Sequence, residues 1–91
     1  MKNEHTIPAV EKTIHILEIL SQNPAGLTHA RLTELCSITA STCYRILQTL
    51  MKNGWVRKEP DVSYVLSSGL LPLALKVAAL DCENWENIQS V

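Results

Sequence analysis

The sequence predicts a mainly α-helical domain with a small β-hairpin. The predicted fold is a winged helix-turn-helix, in which a three-helix core and a two-stranded wing are followed by a linker helix. Two observations support this. Apolar residues recur at helical spacing through three successive segments with short turns between them. Residues 55–66 then follow the pattern of a strand, a four-residue turn and a second strand. Because an isolated hairpin is not stable in water, this one must pack against the helices.

The first helix is predicted from Pro8 to about Gln22, since proline suits the first turn of a helix. Its main apolar stripe consists of Val10, Ile14, Leu17 and Leu20. Ile16 and Ile19 lie off this stripe, so the helix is apolar on a second side. Two interpretations of that side stay open: a contact with a second copy of the chain, or a wide stripe in the chain's own core.

The second and third helices form the predicted helix-turn-helix. Residues 23–26 make a turn, Leu27 is expected to pair as a short extended piece, and Thr28 is expected to cap the second helix. The third helix is expected to have Thr39 as its N-cap and to end before Gly54, which suits a left-handed backbone. Its predicted buried face consists of Cys43, Ile46, Leu47 and Leu50.

The opposite face of the third helix carries an arginine, a glutamine, a lysine and hydroxyls, but no acid. Its members are Ser41, Arg45, Gln48 and Lys52, flanked by Thr42, Tyr44 and Thr49. These side-chain types reach base edges and phosphates in the major groove of DNA. An ordinary solvated face is the default for a lone helix, but such faces normally include Glu and Asp. The pattern and its neighbours therefore predict a DNA-recognition helix.

In this hypothesis Arg45 contacts a guanine, Gln48 an adenine or a phosphate, and Tyr44 the backbone or a thymine methyl group. The complete predicted DNA-binding set is Thr28, Thr39, Ser41, Thr42, Tyr44, Arg45, Gln48, Thr49, Lys52, Arg57 and Lys58. The alternative is that Arg45 pairs with Glu34 or Glu59 and never meets DNA, and that Tyr44 is half-buried packing.

The charge of the chain is segregated along its length. The net charge of −1 argues mildly against a nucleic-acid partner. However, residues 27–58 contain five basic residues and one acid, whereas residues 81–91 contain three acids and no base. Distribution matters more than the sum, so DNA binding stays the first hypothesis. The near-neutral total supports the alternative, a winged-helix protein-interaction module that does not bind DNA.

The sequence offers nothing that indicates an enzyme, a metal or a cofactor. It has no glycine-rich phosphate loop, no usefully spaced carboxylate pair and no nucleophile with a base beside it. Cys36, Cys43 and Cys82 form no CxxC pair, and His29 does not complete any zinc spacing. The longest apolar run, residues 69–80, is too short to span a membrane, and the amino terminus lacks a signal peptide. We therefore expect a cytoplasmic protein.

The last predicted helix, residues 68–80, is apolar nearly all round, and a small domain cannot cover every side of it. We interpret it as a linker or dimerisation helix. The predicted dimer contacts are Ile16, Ile19, Leu70, Leu73, Leu75, Val77 and Leu80.

Taken together, these residues resemble the amino-terminal DNA-binding domain of the IclR family of bacterial transcriptional regulators. The matching pieces are Pro8-Ala-Val-Glu11, Ile16-Leu17, Gly26-Leu-Thr28, Ala30, Leu32, Ser41-Thr42, Tyr44-Arg45, Leu47-Gln-Thr-Leu50, Gly54, Val56-Arg57, Tyr64 and Leu66. The chain departs from the family where Thr39 and Ala40 replace a usual Pro-Lys pair. Glycine is also usual where this chain has Ser37, Val62, Ser63 and Ser67. Loss of that lysine removes a phosphate contact, and the missing glycines imply altered turn geometry.

The resemblance implies a repressor or dual regulator that binds a palindromic operator as a homodimer or tetramer. It also implies a carboxy-terminal domain that senses a small-molecule effector. We accordingly expect residues 1–67 to be the DNA-binding domain, 68–80 the linker or dimerisation helix, and 81–91 the start of an effector-binding domain absent here. The chain is then an excised part of a longer protein, and a naturally short protein is the alternative.

Overall fold

The structure, a computed structural model, describes residues 5–80. In chain order its elements are α1 (Pro8–Ser21), β1 (Leu27–Thr28), α2 (His29–Cys36), α3 (Ala40–Lys52), β2 (Val56–Lys58), β3 (Ser63–Leu66), a 3₁₀ turn (Ser68–Leu70) and α4 (Leu71–Leu80). The predicted winged helix-turn-helix and the helix after it are confirmed. The segment predicted to begin another domain, residues 81–91, lies outside the described residues.

The two-stranded wing belongs to a three-stranded sheet, whose third strand is the extended piece at Leu27. The antiparallel order is β1-β3-β2, so β3 is the central strand. β2 and β3 form the predicted hairpin, and Lys58 lies opposite Tyr64. On the other edge of β3, Leu27 pairs with Tyr64. The short extended piece predicted at Leu27 therefore connects the start of the helix-turn-helix directly to the wing.

Helices α1, α2 and α3 and the sheet enclose an apolar core. Its members include Ile16, Leu20, Leu32, Cys36, Cys43, Ile46, Leu47, Leu50, Val56 and Tyr64. The buried face predicted for α3 supplies four of them. Both buried cysteines are free thiols. Burial is the main cause of a raised pKa at the Cys36 thiol, and the nearby Cys43 raises this pKa further. The raised pKa disfavours the reactive thiolate. Both thiols are buried in the core, where they pack as small apolar side chains.

The buried side of α1 differs from the predicted one. Ile16 is 0% exposed, whereas Val10 and Ile14 are each 50% exposed. Only the carboxyl-terminal half of the helix reaches the core, so its stripe is centred on Ile16 and Leu20. Ile16 consequently offers no surface to a second copy, which corrects the dimer contact predicted there. Ile19 is only partly buried and packs against the same core.

The helix ends use the predicted capping residues. The Thr28 side chain accepts a hydrogen bond from the Arg31 N–H, and the Thr39 side chain accepts one from the Thr42 N–H, both at 3.2 Å. These bonds satisfy amide donors that would otherwise have no partner inside the helix. At the other end of α3, Gly54 takes the expected left-handed conformation, with φ of 76°.

Among residues 5–80, two residues other than glycine also have a positive φ. Ser37, which ends α2, has a φ of 54°, and Val62, in the wing turn, has a φ of 62°. Both stand where the resemblance leads us to expect glycine, the residue for which this backbone region is cheapest. The left-handed conformation is present at both turns without the glycine, and it is most strained at Val62 because that residue is β-branched.

A close backbone contact joins the end of α3 to the start of α4. The Gly69 N–H donates to the Gly54 carbonyl at 2.9 Å, and the Ser67 N–H donates to the Trp55 carbonyl at 2.8 Å. A Cβ atom at Gly69 would overlap the Gly54 carbonyl group. The direction in which α4 leaves the domain is thus set by backbone atoms next to the end of α3.

The helix α4 has no buried residue. Its large apolar side chains are about half exposed or more, from 47% for Val77 to 84% for Leu80. Leu70, in the preceding 3₁₀ turn, is half-buried. An apolar helix surface of this kind is usually covered by a partner.

Candidate nucleic-acid interface

The polar face of α3 points away from the core. Ser41, Arg45, Gln48 and Lys52 are all exposed, and we call these four residues the recognition ridge. Cys43 and Leu47, on the opposite side of the helix, are 0% exposed. The ridge carries two cations, one amide and one hydroxyl. Its only charged groups are positive, so it can meet phosphates and base edges without a repulsive acid.

Arg45 is not held by either of the acids that might have engaged it. Glu34 accepts a hydrogen bond from Arg31 within α2, and Glu59 accepts one from Arg57 in the wing, both at 2.6 Å. In the part of the chain that the structure describes, no ion pair involves Arg45. The guanidinium group therefore keeps its donors available for a base edge or a phosphate.

Most threonine hydroxyls of the predicted site already form hydrogen bonds within α2, α3 and their caps. Thr39 donates its hydroxyl proton to the Thr42 hydroxyl at 2.8 Å, in addition to capping α3. The Thr49 hydroxyl donates to the Arg45 carbonyl at 2.8 Å. Thr28 caps α2. These hydroxyls keep some capacity to accept a bond, and those of Thr28 and Thr39 hold the two helix starts in place.

Tyr44 stands beside the recognition ridge and is 53% exposed, so about half of its surface is open to a partner. Its ring meets the ring of His29 nearly at right angles, with 6.4 Å between the ring centroids and 82° between the planes. A ring nitrogen of His29, Nε2, lies 2.9 Å from the carbonyl oxygen of Ala40, the first residue of α3. Sequence reasoning left His29 without a role.

The wing is less basic than its two cations suggest. The Nε of Arg57 bonds to Glu59, so the carboxylate neutralises that arginine. The Lys58 Nζ lies 5.7 Å from the centre of the Tyr64 ring, a cation–π distance. In the turn, Asp61 accepts hydrogen bonds from the Ser63 side chain and backbone, which lower the pKa of Asp61. Lys58 is therefore the wing cation that no acid neutralises among the described residues.

We expect Glu59→Gln to strengthen binding to any duplex DNA, because it releases Arg57 to pair with a phosphate. One added phosphate contact should steepen the slope of log affinity against log salt by about 0.9. Fluorescence anisotropy at several salt concentrations measures this slope. The double variant Glu59→Gln, Arg57→Ala is the control and should lose the gain. An unchanged slope in Glu59→Gln would show that the wing arginine does not reach DNA.

A groove of about 530 Å³ separates the amino-terminal half of α1 from α3. Its lining combines apolar groups with two cations, Lys12 and Arg45. Lys12 belongs to an exposed turn of α1 that the sequence did not connect with the recognition ridge. The groove thus adds a cation on a second helix to the same side of the molecule.

Two absences hold for residues 5–80, the part of the chain that the structure describes. No group of three His, Cys, Asp or Glu side chains in this range is placed to hold a metal ion. None of its helices is long and apolar enough to cross a membrane.

Comparison with known proteins places this geometry in a family. Residues 9–60 match the IclR helix-turn-helix domain. The chain is 36% identical over 70 residues to an uncharacterized HTH-type transcriptional regulator of Haemophilus influenzae, and the match covers 76% of this chain and 26% of that protein. The protein fold is also similar to that of an IclR transcriptional regulator from Alicyclobacillus acidocaldarius, with a TM-score of 0.78 and 28% identity over 84% of this chain and 31% of that one.

A further solved structure, the repressor BlcR of Agobacterium tumefaciens, has the same fold at 22% identity, with a TM-score of 0.73 over 81% of this chain and 30% of that one. The chain spans about a quarter to a third of the length of these relatives. The relatives are named as transcriptional regulators or as a repressor, and none as an enzyme. Since the family match covers more than half of the sequence, the chain belongs to the IclR helix-turn-helix domain family.

Proposed function

We propose that the chain binds double-stranded DNA in a sequence-specific manner, as the DNA-binding domain of a bacterial transcriptional regulator. The observation that carries this proposal is the recognition ridge, an exposed helix face without acids on which Arg45 has no ion-pair partner among the described residues. In the proposed complex α3 enters the major groove with its amino end first, Arg45 and Gln48 read base edges, and Lys52 and Lys58 hold phosphates.

A salt titration on random duplex DNA tests the proposal against its alternative. A DNA-binding domain loses affinity steeply as salt rises, because each neutralised phosphate releases counterions. The alternative, a protein-interaction module, would bind little duplex at any salt concentration. We expect Lys58→Ala to weaken binding to all sequences alike and to flatten the slope of log affinity against log salt by about 0.9. A slope near zero for the unmodified chain would refute the proposal.

Dimerisation through α4 is part of the same proposal. One helix-turn-helix covers a half-site, so a two-fold dimer, or a tetramer built from dimers, matches a palindromic operator. The apolar side chains proposed for the contact are Leu70, Leu73, Leu75, Val77 and Leu80, with Ile19 at the edge of the core. Val10 and Ile14, which the structure exposes on α1, add apolar surface that was not predicted.

Sedimentation equilibrium measures this association. We expect the chain to form a dimer and Leu75→Glu to shift it towards the monomer, because a charge would be buried without a partner. Lys76→Glu changes the charge of the next residue and serves as the control. A chain that stays monomeric at high concentration would remove dimerisation from the proposal.

The remaining parts of the proposal follow the family resemblance. The whole protein would act in the cytoplasm as a repressor or dual regulator, and a small-molecule effector would bind in a carboxy-terminal domain beyond this chain. The short span of the chain relative to its relatives supports that division. Under it, residues 1–67 are the DNA-binding domain and residues 68–80 the linker.

A further inference from the structure

His29 joins the start of α2 to the start of α3 through two contacts. Its Nε2 atom lies 2.9 Å from the Ala40 carbonyl oxygen, and its ring meets the Tyr44 ring edge to face. In a regular helix the Ala40 carbonyl also accepts the N–H of the residue four positions on, which is Tyr44. Both contacts of His29 therefore act on the same turn of α3 and on the side chain that this turn displays.

The hydrogen bond fixes one property of the imidazole ring. A carbonyl oxygen only accepts, so Nε2 must carry the proton, in the neutral ring or in the imidazolium. Either form makes the bond. His29 is half-buried, whereas Tyr44 is 53% exposed, so the histidine is the more restrained member of the pair. It supplies a restrained ring against which the exposed Tyr44 ring packs.

An exposed tyrosine loses rotational freedom when it docks on a partner, and this loss opposes binding. A ring that is already held in one orientation loses less. Tyr44 lies next to Arg45 in the first half of α3, the half that enters the groove in the proposed complex. Its orientation before binding therefore bears on which bases it accepts, and only weakly on contacts to phosphates.

We propose that His29 is a positioning residue for DNA sequence recognition: it holds the Tyr44 ring in the orientation that the specific site requires. The inference rests on the proposed DNA binding. It assigns specificity to a residue on α2 that lies outside the recognition ridge and that no predicted contact includes.

The test uses the tightest duplex that the unmodified chain selects from a random library, beside an unrelated duplex. We expect His29→Gln to weaken binding to the selected duplex by roughly three- to ten-fold, the scale of ordering one side chain, and to leave the unrelated duplex unchanged. In a Tyr44→Ala background the same substitution should have no further effect on the selected duplex. His15→Ala, an exposed histidine on α1, is the control and should change neither affinity.

Three results would overturn the inference. The first is that His29→Gln binds the selected duplex as tightly as the unmodified chain. The second is that the substitution lowers this affinity by the same factor whether or not Tyr44 is present. The third is that it lowers the affinities for both duplexes equally. Failure of the proposed function is a separate outcome, because the unmodified chain would then select no duplex. Proton NMR of the free chain checks the geometry independently of DNA: an absence of cross-relaxation between the His29 and Tyr44 rings would also refute it.

Discussion

Arg45→Ala should weaken binding to the specific duplex by about 1–3 kcal/mol, roughly 5- to 150-fold, and relax the preference at one base pair. The guanidinium group is exposed in the middle of the recognition ridge, and Glu34 and Glu59 each pair with another arginine. If Arg45 makes a bidentate contact to guanine, its truncation removes two directional hydrogen bonds to that base. If Arg45 contacts a phosphate, its truncation lowers the affinity for all sequences alike. Binding measured across duplexes that differ at single positions separates these two cases.

Arg31→Ala is the matched control for this experiment. Arg31 is also an exposed arginine, but it lies on α2 and is paired with Glu34. Exposed pairs of this kind contribute little to stability, so neither folding nor base preference should change much. If Arg45→Ala bound the specific duplex as tightly as the unmodified chain, the recognition helix would have been assigned to the wrong face or the wrong function.

The periodicity of the sequence was sufficient to predict α3. A helix with four apolar residues on one side and no acid on the other has one stable way to pack in a small domain, so Leu47 is buried and Arg45 exposed. The same reasoning failed for α1, where apolar residues occupy two sides. The side of α1 that faces inward depends on the position of the other helices, and the spacing of apolar residues does not specify that position. Ile16 is consequently buried where a surface contact was expected.

The electrostatics of the wing differ from the prediction for another reason. Arg57 and Lys58 both belong to the predicted DNA-binding set, but residues two apart on an extended chain point to the same side, which brings Glu59 to Arg57. The sequence contains this alternation. The link from His29 to Ala40 and Tyr44 was not visible, since it spans two helices whose relative angle only the folded structure defines.

Gly69→Ala should lower the free energy of unfolding by about 1–3 kcal/mol, the usual scale of an overpacked contact. The added Cβ would overlap the Gly54 carbonyl group, and backbone atoms cannot move aside as a flexible side chain does. Relief requires breaking the hydrogen bond from the Gly69 N–H to Gly54. For a domain of this size we expect the melting temperature to fall by about 4–8 °C per kcal/mol, as measured by circular dichroism.

Gly54→Asn probes the other side of the same contact and is the control. A Cβ at Gly54 meets nothing closer than the Gly69 Cα at 3.7 Å, so only the left-handed backbone opposes the substitution. Asparagine tolerates that conformation better than most residues, and the variant should therefore lose less stability than Gly69→Ala. Equal losses would show that the close approach at Gly69 costs no more than the left-handed backbone at Gly54.

Gly69→Ala should also redirect α4, because its first turn is attached to the domain through this contact. A dimer held by α4 would then present its two recognition ridges at a changed spacing. A Gly69→Ala dimer that bound the selected operator with unchanged affinity would show that the α3–α4 junction does not set this spacing.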